Sequence, residues 1–268
     1  MPRPAPLPIR VIRSLRVAAH VAEGLATAIL IFPVVQTHRR NALTKQWSRR
    51  LLRMLNVDAR LHGHALDGVD GNLLIVANHI SWLDIFVLLS ARPVRFVAKA
   101  ELKRWPVVGP LITGAGTLYV ERTRRHDTHK VNRRAAEALA RGDVLAIFPE
   151  GTTTDGRSLL PFHGSLLQPI VDAEGHVLPV AIRYRTPAGE HTDAAAYVGD
   201  TSILESFWRL TAERAVVVDV HVAAPLPARD RHRRELSRAA EAIIRTALAS
   251  PATSPAPGTP GDPRAAPP

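Results

Sequence analysis

The sequence of 268 residues contains no cysteine, so disulfide bonds, thiolate metal sites and a cysteine nucleophile are excluded. It also lacks the Gly-x-Ser-x-Gly elbow that presents a nucleophilic serine in many hydrolases. The chain therefore offers no obvious side chain to carry a covalent intermediate, and any group transfer that it performs is expected to be direct.

Metal-ligand patterns are also scarce. His62 and His64 form one histidine pair, and His126 and His129 form another, with spacings that a metal ion could use. The sequence indicates no third ligand for either pair, and it contains no His-Glu-x-x-His helix. We expect these histidines to be surface residues, and we predict neither a metal nor a cofactor.

Aromatic residues are few, at 5% of the chain, and lysine occurs only four times among 35 basic residues. The formal net charge is nevertheless +11, so the chain should bind anionic partners such as nucleic acid, anionic lipid or the phosphates of coenzyme A. The sequence has no zinc finger, helix-turn-helix or aromatic-basic RNA-binding signature. Nucleic acid is therefore the least favoured of these partners.

Two segments before residue 57 have the composition of lipid-binding helices. Residues 17–35 are largely apolar and long enough to be a marginal transmembrane candidate. Residues 43–56 place Trp47 and several leucines among Lys45 and three arginines, the pattern of a basic helix that lies in a bilayer interface. We predict that residues 1–56 form a membrane-associating unit of two helices. The alternative is that both helices pack on the following domain and cover its apolar faces.

After residue 57, short apolar runs alternate with helical patterns, which predicts a single α/β domain over 57–249 with a largely parallel sheet flanked by helices. The predicted strands are residues 73–77, 94–97, 117–120, 144–148, 178–184, 194–198 and 216–222. The predicted helices are residues 84–89, 128–140, 165–173 and 231–249. Residues 250–268 are rich in proline and alanine with few apolar side chains, which predicts a disordered tail.

Residues 79–84 (HISWLD) are the first candidate for chemistry, because they follow directly on the apolar strand 73–77. On an unbroken helix His79 and Asp84 would point roughly 140° apart. If the helix begins near Ser81, His79 lies in the preceding loop and can reach Asp84, which would leave its other ring nitrogen as a general base. The alternative is a capping box, in which Asp84 closes the first helical turn and His79 is an ordinary loop histidine.

Four ordered blocks and one shorter element resemble the glycerolipid acyltransferases typified by 1-acyl-sn-glycerol-3-phosphate acyltransferase. Residues 79–84 match the H-x-x-x-x-D block of that family, and residues 116–122 (GTLYVER) are similar to its G-x-x-F-x-x-R block with Tyr119 at the aromatic position. Residues 148–152 (FPEGT) and 177–182 (VLPVAI) resemble the third and fourth blocks, and residues 99–102 (KAEL) resemble a K-x-E-L element. The matches span residues 78–182.

This resemblance implies an α/β enzyme in which His79 activates a hydroxyl and Asp84 orients the imidazole. It implies a substrate-binding role for the third block, with Glu150 and Gly151 as acceptor-binding residues and Thr152 beside them. Pro179 would lie in the acyl-donor region, although a proline within a strand can equally mark an edge or a bulge.

Phosphate on the acceptor would require fixed cations. Arg122 can form a forked pair of hydrogen bonds with phosphate, and Lys99 is the second candidate. Taken without the block, Arg122 would be a surface charge, and Glu150 with Gly151 would be an ordinary turn with an exposed glutamate.

The chain departs from the family pattern at two positions. Thr153 stands where arginine commonly follows the third block, and residues 162–164 (FHG) stand where the family often has F-K-x-G. Both changes remove a cation that would help to bind phosphate. The head group of the acceptor is therefore the least determined part of the prediction.

We predict a membrane-associated acyltransferase that moves an acyl chain from acyl-CoA or acyl-carrier protein to 1-acyl-glycerol-3-phosphate, at the cytoplasmic face of the inner membrane. The first alternative is the same reaction on another lyso-lipid, such as lyso-ornithine lipid. The alternative from another class is a non-catalytic protein that binds anionic lipid. The sequence makes no prediction of oligomeric state.

Overall fold

The computed structural model describes residues 4–66, 68–69, 71–120 and 125–250, with only the backbone described at 120 and 125–130. The strands within these ranges are β1 Val57–Gly63, β2 Leu73–Ala77, β3 Arg95–Lys99, β4 Leu118–Val120, β5 Val144–Ile147, β6 His176–Arg185, β7 Val216–Val222 and β8 Leu226–Pro227. The α-helices within them are α1 Leu7–Ala26, α2 Thr37–Met54, α3 Leu83–Ala91, α4 Val108–Gly114, α5 Arg125–Ala140, α6 Gln168–Asp172, α7 Ile203–Ala212 and α8 Arg233–Ala249.

The described strands form one sheet in the order β1-β7-β6-β2-β5-β3-β4, with β8 pairing with β6. Strands β6, β2, β5, β3 and β4 run parallel to one another, whereas β7 is antiparallel to β6 and β1 is parallel to β7. The predicted α/β class with a largely parallel sheet is confirmed. Helical crossovers are the connections that such a parallel arrangement requires.

The central strand β2 is buried on both faces, which is why it is a continuous apolar run. Leu73, Ile75 and Ala77 face one hydrophobic core, and Leu74 and Val76 face the other. Helices α2, α3 and α7 contribute to the first core, and α5, α6 and α8 contribute to the second. The architecture is therefore three layers, with the sheet between two layers of helices.

Helix α1 and the π-helical segment Thr27–Ile31 that follows it are together long and apolar enough to cross a membrane. The N-terminal part of α1 is nevertheless bonded to the end of α7. The Arg13 guanidinium donates to the carbonyl oxygens of Thr211 and Glu213 at 3.0 and 2.8 Å, and the Ala5 amide donates to Ala212. These carbonyls lie in the last turn of α7 and at the residue that follows it, where a cation also interacts favourably with the helix dipole.

The C-terminal half of α1 is held by α2. Trp47 donates its indole N–H to the His20 carbonyl at 3.0 Å, and the two rings stack with centroids 4.6 Å apart. Leu51 and Leu52 of α2 are buried in the core of the sheet domain. Both N-terminal helices therefore contact the domain, while the division at residue 57 into a membrane-associating unit and a catalytic domain stays a prediction. Of the predicted tail at 250–268, residues 251–268 lie outside the described residues.

One predicted strand is wrong. Residues 194–198 form a loop, in which Ala195 and Ala196 are buried and the Tyr197 amide donates to the Ile80 carbonyl at 3.0 Å. Their apolar character reflects packing beneath the Ile80 loop rather than a place in the sheet. The predicted helix at 165–173 is a 3-10 turn, Gly164–Leu167, followed by the short α6. Strands β1 and β8 and helices α4 and α7 were not predicted.

Leu74→Ala should lower the free energy of unfolding by about 2–5 kcal/mol, because the lost methyl groups leave a cavity in a close-packed core. Leu74 is fully buried in β2, whereas Leu204 is 77% exposed on α7. The matched variant Leu204→Ala should therefore change stability by less than about 0.5 kcal/mol. Urea unfolding followed by circular dichroism compares the two, and equal losses would contradict the burial of the central strand.

Candidate active site

Candidate site residues follow three neighbouring strands at the same edge of the sheet. His79 follows β2, Glu150 follows β5, and Lys99 ends β3. The crevice beyond the carboxyl ends of parallel strands is where open α/β sheets bind ligands. The fourth expected residue, Arg122, lies outside the described residues.

His79 lies in the loop before α3, because that helix begins at Leu83 rather than at the histidine. Its Nδ1 atom is 2.8 Å from Oδ2 of Asp84, as the spacing predicted. The carboxylate is fully buried, whereas the histidine side chain is 20% exposed. A carboxylate on Nδ1 selects the tautomer with the proton there, which leaves Nε2 as an acceptor.

Asp84 also fulfils the capping role that was the alternative reading of this motif. Its Oδ2 atom accepts from the Ile80 and Ser81 amides at 2.7 and 2.8 Å, so one oxygen fixes the loop and the imidazole together. These bonds supply donors to a carboxylate that burial would otherwise destabilise. The capping and histidine-orienting interpretations therefore describe the same carboxylate.

Tyr184 is a functional candidate that the sequence analysis missed. Its hydroxyl, on the fully buried ring at the end of β6, donates to Oδ1 of Asp84 at 2.7 Å. Burial raises the pKa of Tyr184 well above its ordinary value, and the charge of Asp84 raises it further, so the hydroxyl stays a donor. Tyr184 could have been identified from its place in an apolar strand. A tyrosine buried there needs a polar partner for its hydroxyl.

The His79 ring is also held by a stack of aromatic side chains. Phe148 lies parallel to it with the ring centroids 3.9 Å apart, and Phe96 stacks behind Phe148 at 5.8 Å. Phe96 in turn lines an apolar cavity of about 200 Å³ between α1, α2, α3 and α4. Trp47, Phe86 and Leu111 are among its other lining residues. An apolar cavity thus begins two aromatic rings away from the histidine.

Glu150 is not the exposed glutamate of an ordinary turn, since it is only 4% exposed. One carboxylate oxygen accepts from the His79 amide at 2.7 Å and the other from the Leu160 amide at 2.9 Å. Burial raises the pKa of Glu150, while these two backbone bonds and the nearby His79 oppose that rise. Glu150 therefore joins two loops at the strand ends, and acceptor binding by it stays a prediction.

The remaining predicted residues occupy different settings. Gly151 has a φ of 73°, a conformation that glycine adopts without strain, and Thr152 and Lys99 are exposed. Pro179 is buried in β6, paired with Val76, at the point where the neighbour of β6 changes from β8 to β7. Pairing with β2 on the other side is continuous from His176 to Val180. The substrate roles of these residues stay predictions.

A polar cluster at β1 and β7 corrects the expectation that His62 is a surface residue. His62 is only partly exposed and lies 3.0 Å from the buried Asp219, which also receives the Arg185 guanidinium. His221 completes a group whose ligand atoms lie within 4.8 Å of one another. The two histidine rings are stacked at 19°, however, and an ion cannot lie in both ring planes without their rotation. Asp219 could not be identified from the sequence as a neighbour of His62, because the two residues are 157 positions apart in the chain.

Comparison with known proteins identifies the family of this chain. Residues 52–183 match the family model described as Acyltransferase. A lyso-ornithine lipid O-acyltransferase of Pseudomonas aeruginosa is 39% identical over 243 residues, which are 88% of this chain and 92% of that protein. A 1-acyl-sn-glycerol-3-phosphate acyltransferase of Neisseria meningitidis is 36% identical over 181 residues, 68% of this chain and 70% of its own.

The fold has a counterpart among solved structures. The crystal structure of the 1-acyl-sn-glycerophosphate acyltransferase PlsC from Thermotoga maritima aligns with a TM-score of 0.65 and 21% identity, covering 89% of this chain and 96% of that one. The protein is thus an α/β acyltransferase. It belongs to the 1-acyl-sn-glycerol-3-phosphate acyltransferase family of glycerolipid acyltransferases.

Tyr184→Phe should lower kcat by about 10-fold, because the substitution removes one hydrogen bond to a charged group and leaves a buried carboxylate oxygen without its donor. KM for either substrate should change little, since Tyr184 is buried behind Asp84. Tyr119→Phe is the matched control, because the Tyr119 hydroxyl bonds to Thr113 instead. Steady-state thiol release measures both variants, and equal kcat values in the two would contradict a role for Tyr184 in holding Asp84.

Proposed function

We propose that this protein transfers a fatty acyl chain from acyl-CoA or acyl-carrier protein directly to the free hydroxyl of a lyso-lipid, with His79 as the general base. The observation that carries the proposal is the 2.8 Å contact between His79 Nδ1 and a fully buried carboxylate, which leaves Nε2 free of Asp84 on a side chain that is 20% exposed. An imidazole held in this way is the usual device for removing a proton from a hydroxyl.

His79 can carry both proton transfers of the reaction. His79 Nε2 takes the hydroxyl proton as the oxygen attacks the thioester carbonyl carbon, and the new C–O bond gives a tetrahedral intermediate. The C–S bond then breaks, and the imidazolium returns the proton to the departing thiolate. Asp84 stabilises the transient imidazolium, which forms beside its charge. The aromatic stack with Phe148 restrains the ring between the two proton transfers.

The apolar cavity behind Phe96 is the proposed site for an acyl chain. It is lined mainly by aliphatic and aromatic side chains and lies next to the rings that stack on His79. Burying each methylene of a chain in such a site contributes about 0.8 kcal/mol to binding. The cavity therefore offers both affinity and a fixed direction of approach to the imidazole.

For the acceptor we propose lyso-ornithine lipid, with 1-acyl-glycerol-3-phosphate as the second candidate. The first choice is supported by Thr153, which stands at the family's arginine position and donates its hydroxyl to the Tyr197 carbonyl, so that it supplies no cation. It is also supported by the similarity to lyso-ornithine lipid acyltransferases over most of the chain. The second candidate is supported by the Neisseria relative and by exposed Lys99 at the strand ends.

We further propose that the protein lies on the cytoplasmic face of the inner membrane, where acyl-CoA and acyl-carrier protein are found. Helix α1 is bonded to α7 near its start and to α2 near its end, and a spanning orientation would separate these contacts. An orientation in the plane of the interface keeps them and places the exposed side chains of Leu15 and Leu30 in lipid. Basic residues around α2 would attract anionic lipid head groups.

His79→Ala should lower the rate of acyl transfer by about 10²–10⁴-fold, because a positioned general base contributes that much. His64→Ala is the matched control, since His64 is exposed and follows β1 at the other edge of the sheet. Thiol release from acyl-CoA is measured with a detergent-solubilised lyso-lipid. Normal turnover by a folded His79→Ala protein would exclude the mechanism, and absence of thiol release by the unaltered protein would favour a non-catalytic lipid-binding role.

Replacing Leu15 and Leu30 with serine should release most of the protein from vesicles, because both side chains are about two-thirds exposed, at 66% and 67%. Each substitution removes apolar surface from the bilayer and none from the core. Leu61→Ser with Val198→Ser is the control, since these residues are exposed elsewhere on the domain. Flotation with vesicles at high salt compares the two double variants, and equal retention would show that α1 does not insert.

A further inference from the structure

We propose that a charged cluster formed by Asp155, Arg157, His191 and Asp193 binds a zwitterionic acceptor head group that carries one ammonium and one carboxylate. The inference rests on the proposed acyl transfer to a lyso-lipid and names the part of the site that selects the acceptor. It assigns a role to residues that lie outside the recognised sequence blocks.

The charged cluster is adjacent to the histidine loop. The Thr154 amide donates to the His79 carbonyl at 2.9 Å, and Asp155 is the next residue in the chain. Gly156 packs on Ile80 so closely that a Cβ atom there would lie 2.8 Å from the Ile80 side chain and 3.5 Å from the His191 ring. The loop that carries Asp155 and Arg157 therefore touches both the histidine loop and His191.

Asp155 and Arg157 carry opposite charges, but the ion pair between their side chains is long. Their side chains are 46% and 64% exposed, and Arg157 Nε is 3.9 Å from the Asp155 carboxylate. The shorter bond is local, from the Arg157 amide to Asp155 Oδ1 at 2.9 Å. The guanidinium can therefore form a forked pair of bonds with a ligand carboxylate, and Oδ2 of Asp155, whose contact with Arg157 is the long one, can accept from an ammonium.

His191 supplies an acceptor that lacks a partner. Its Nε2 atom is buried and makes no hydrogen bond to the described part of the chain. Burial, and secondly Arg157, lower the pKa of His191, although Asp155, Asp193 and a bond to the Asp155 backbone oppose this. The lowered pKa favours the neutral ring at pH 7, so His191 adds no positive charge to the cluster. Buried polar atoms without partners are rare, which indicates that a ligand or water completes this one.

The charge of the cluster distinguishes between acceptors. With His191 neutral, the side chains of Asp155, Arg157 and Asp193 carry a net charge of −1. A phosphate monoester carries about −1.5 to −2 at pH 7 and would be repelled. An ornithine whose α-amino group is acylated carries one carboxylate and one ammonium, so Arg157 and the acidic residues can each receive the opposite charge. Lysophosphatidylethanolamine is also a zwitterion, but its anion is a phosphodiester.

The first test uses the unaltered protein with three acceptors, namely lyso-ornithine lipid, lysophosphatidylethanolamine and 1-acyl-glycerol-3-phosphate, at fixed acyl-CoA. Products are quantified by mass spectrometry. We expect lyso-ornithine lipid to be preferred by about 10-fold or more, the value of one charged hydrogen bond. Nα-acetylornithine should inhibit competitively, whereas Nα-acetylnorvaline, which lacks the ammonium, should not. Equal inhibition by both, or preference for the phosphate monoester, would overturn the inference.

The second test uses Asp155→Asn and Arg157→Gln. Each should raise KM for lyso-ornithine lipid by about 10-fold while kcat changes less than about twofold, and Asp155→Asn should improve use of the phosphate monoester. Glu174→Gln and Arg229→Gln are matched controls, because these residues form an exposed ion pair elsewhere. Folded variants with the original acceptor preference would overturn the inference. If the unaltered protein released no thiol with any of the three acceptors, that result would instead refute the proposed acyl transfer.

Discussion

The arrangement of the site depends on one buried carboxylate. Asp84 has no contact with solvent, and a charged group in that position is stable only if donors surround it. The donors come from the histidine ring, from two amides of the loop and from Tyr184 on β6. The requirement to satisfy this charge therefore fixes the loop conformation, the ring orientation and the distance between α3 and β6. The exposed nitrogen of His79 is a consequence of these constraints.

A second buried carboxylate extends the same principle across the sheet. Glu150 follows β5, the strand beside β2, and ties the His79 amide to the Leu160 amide. The loops after two neighbouring strands are thereby held together, and the segment that begins at Thr154 is positioned against the histidine loop. Glu150 thereby connects the loop that carries the proposed general base to the segment that leads into the proposed acceptor-binding cluster. A parallel sheet favours this arrangement because its strands end at a common edge.

The sequence predicted the parts of the structure that depend on local patterns. Strands β2 and β7 have the predicted bounds, because β2 is a continuous apolar run and β7 is rich in valine, a residue that favours strands. The contact between His79 and Asp84 was predicted because both residues lie within one turn of the start of α3. Strand β1 was not predicted, although its apolar and polar residues alternate as expected for a strand at the edge of a sheet.

Contacts between distant segments were not predictable in this way. Tyr184 meets Asp84 across 100 residues, and Glu150 meets the His79 amide across 71. Such pairs follow from the strand order, which apolar runs alone do not determine. Residues 194–198 had a strand-like composition, yet they form a loop because their burial comes from packing under Ile80. The family resemblance identified Glu150 as important, whereas its two backbone contacts became visible only with the fold.

The central claim is that Asp84 holds the proton of His79 on Nδ1 and leaves Nε2 free to act as the base. The most direct measurement is nitrogen-15 NMR of the imidazole side chains in histidine-labelled protein, at a pH where the His79 ring is neutral. The His79 signals are assigned by their loss in His79→Gln. We expect a protonated Nδ1 and an unprotonated Nε2. A ring with its proton on Nε2 would have no lone pair on that nitrogen for the acceptor hydroxyl, and that result would exclude the proposed role of Asp84.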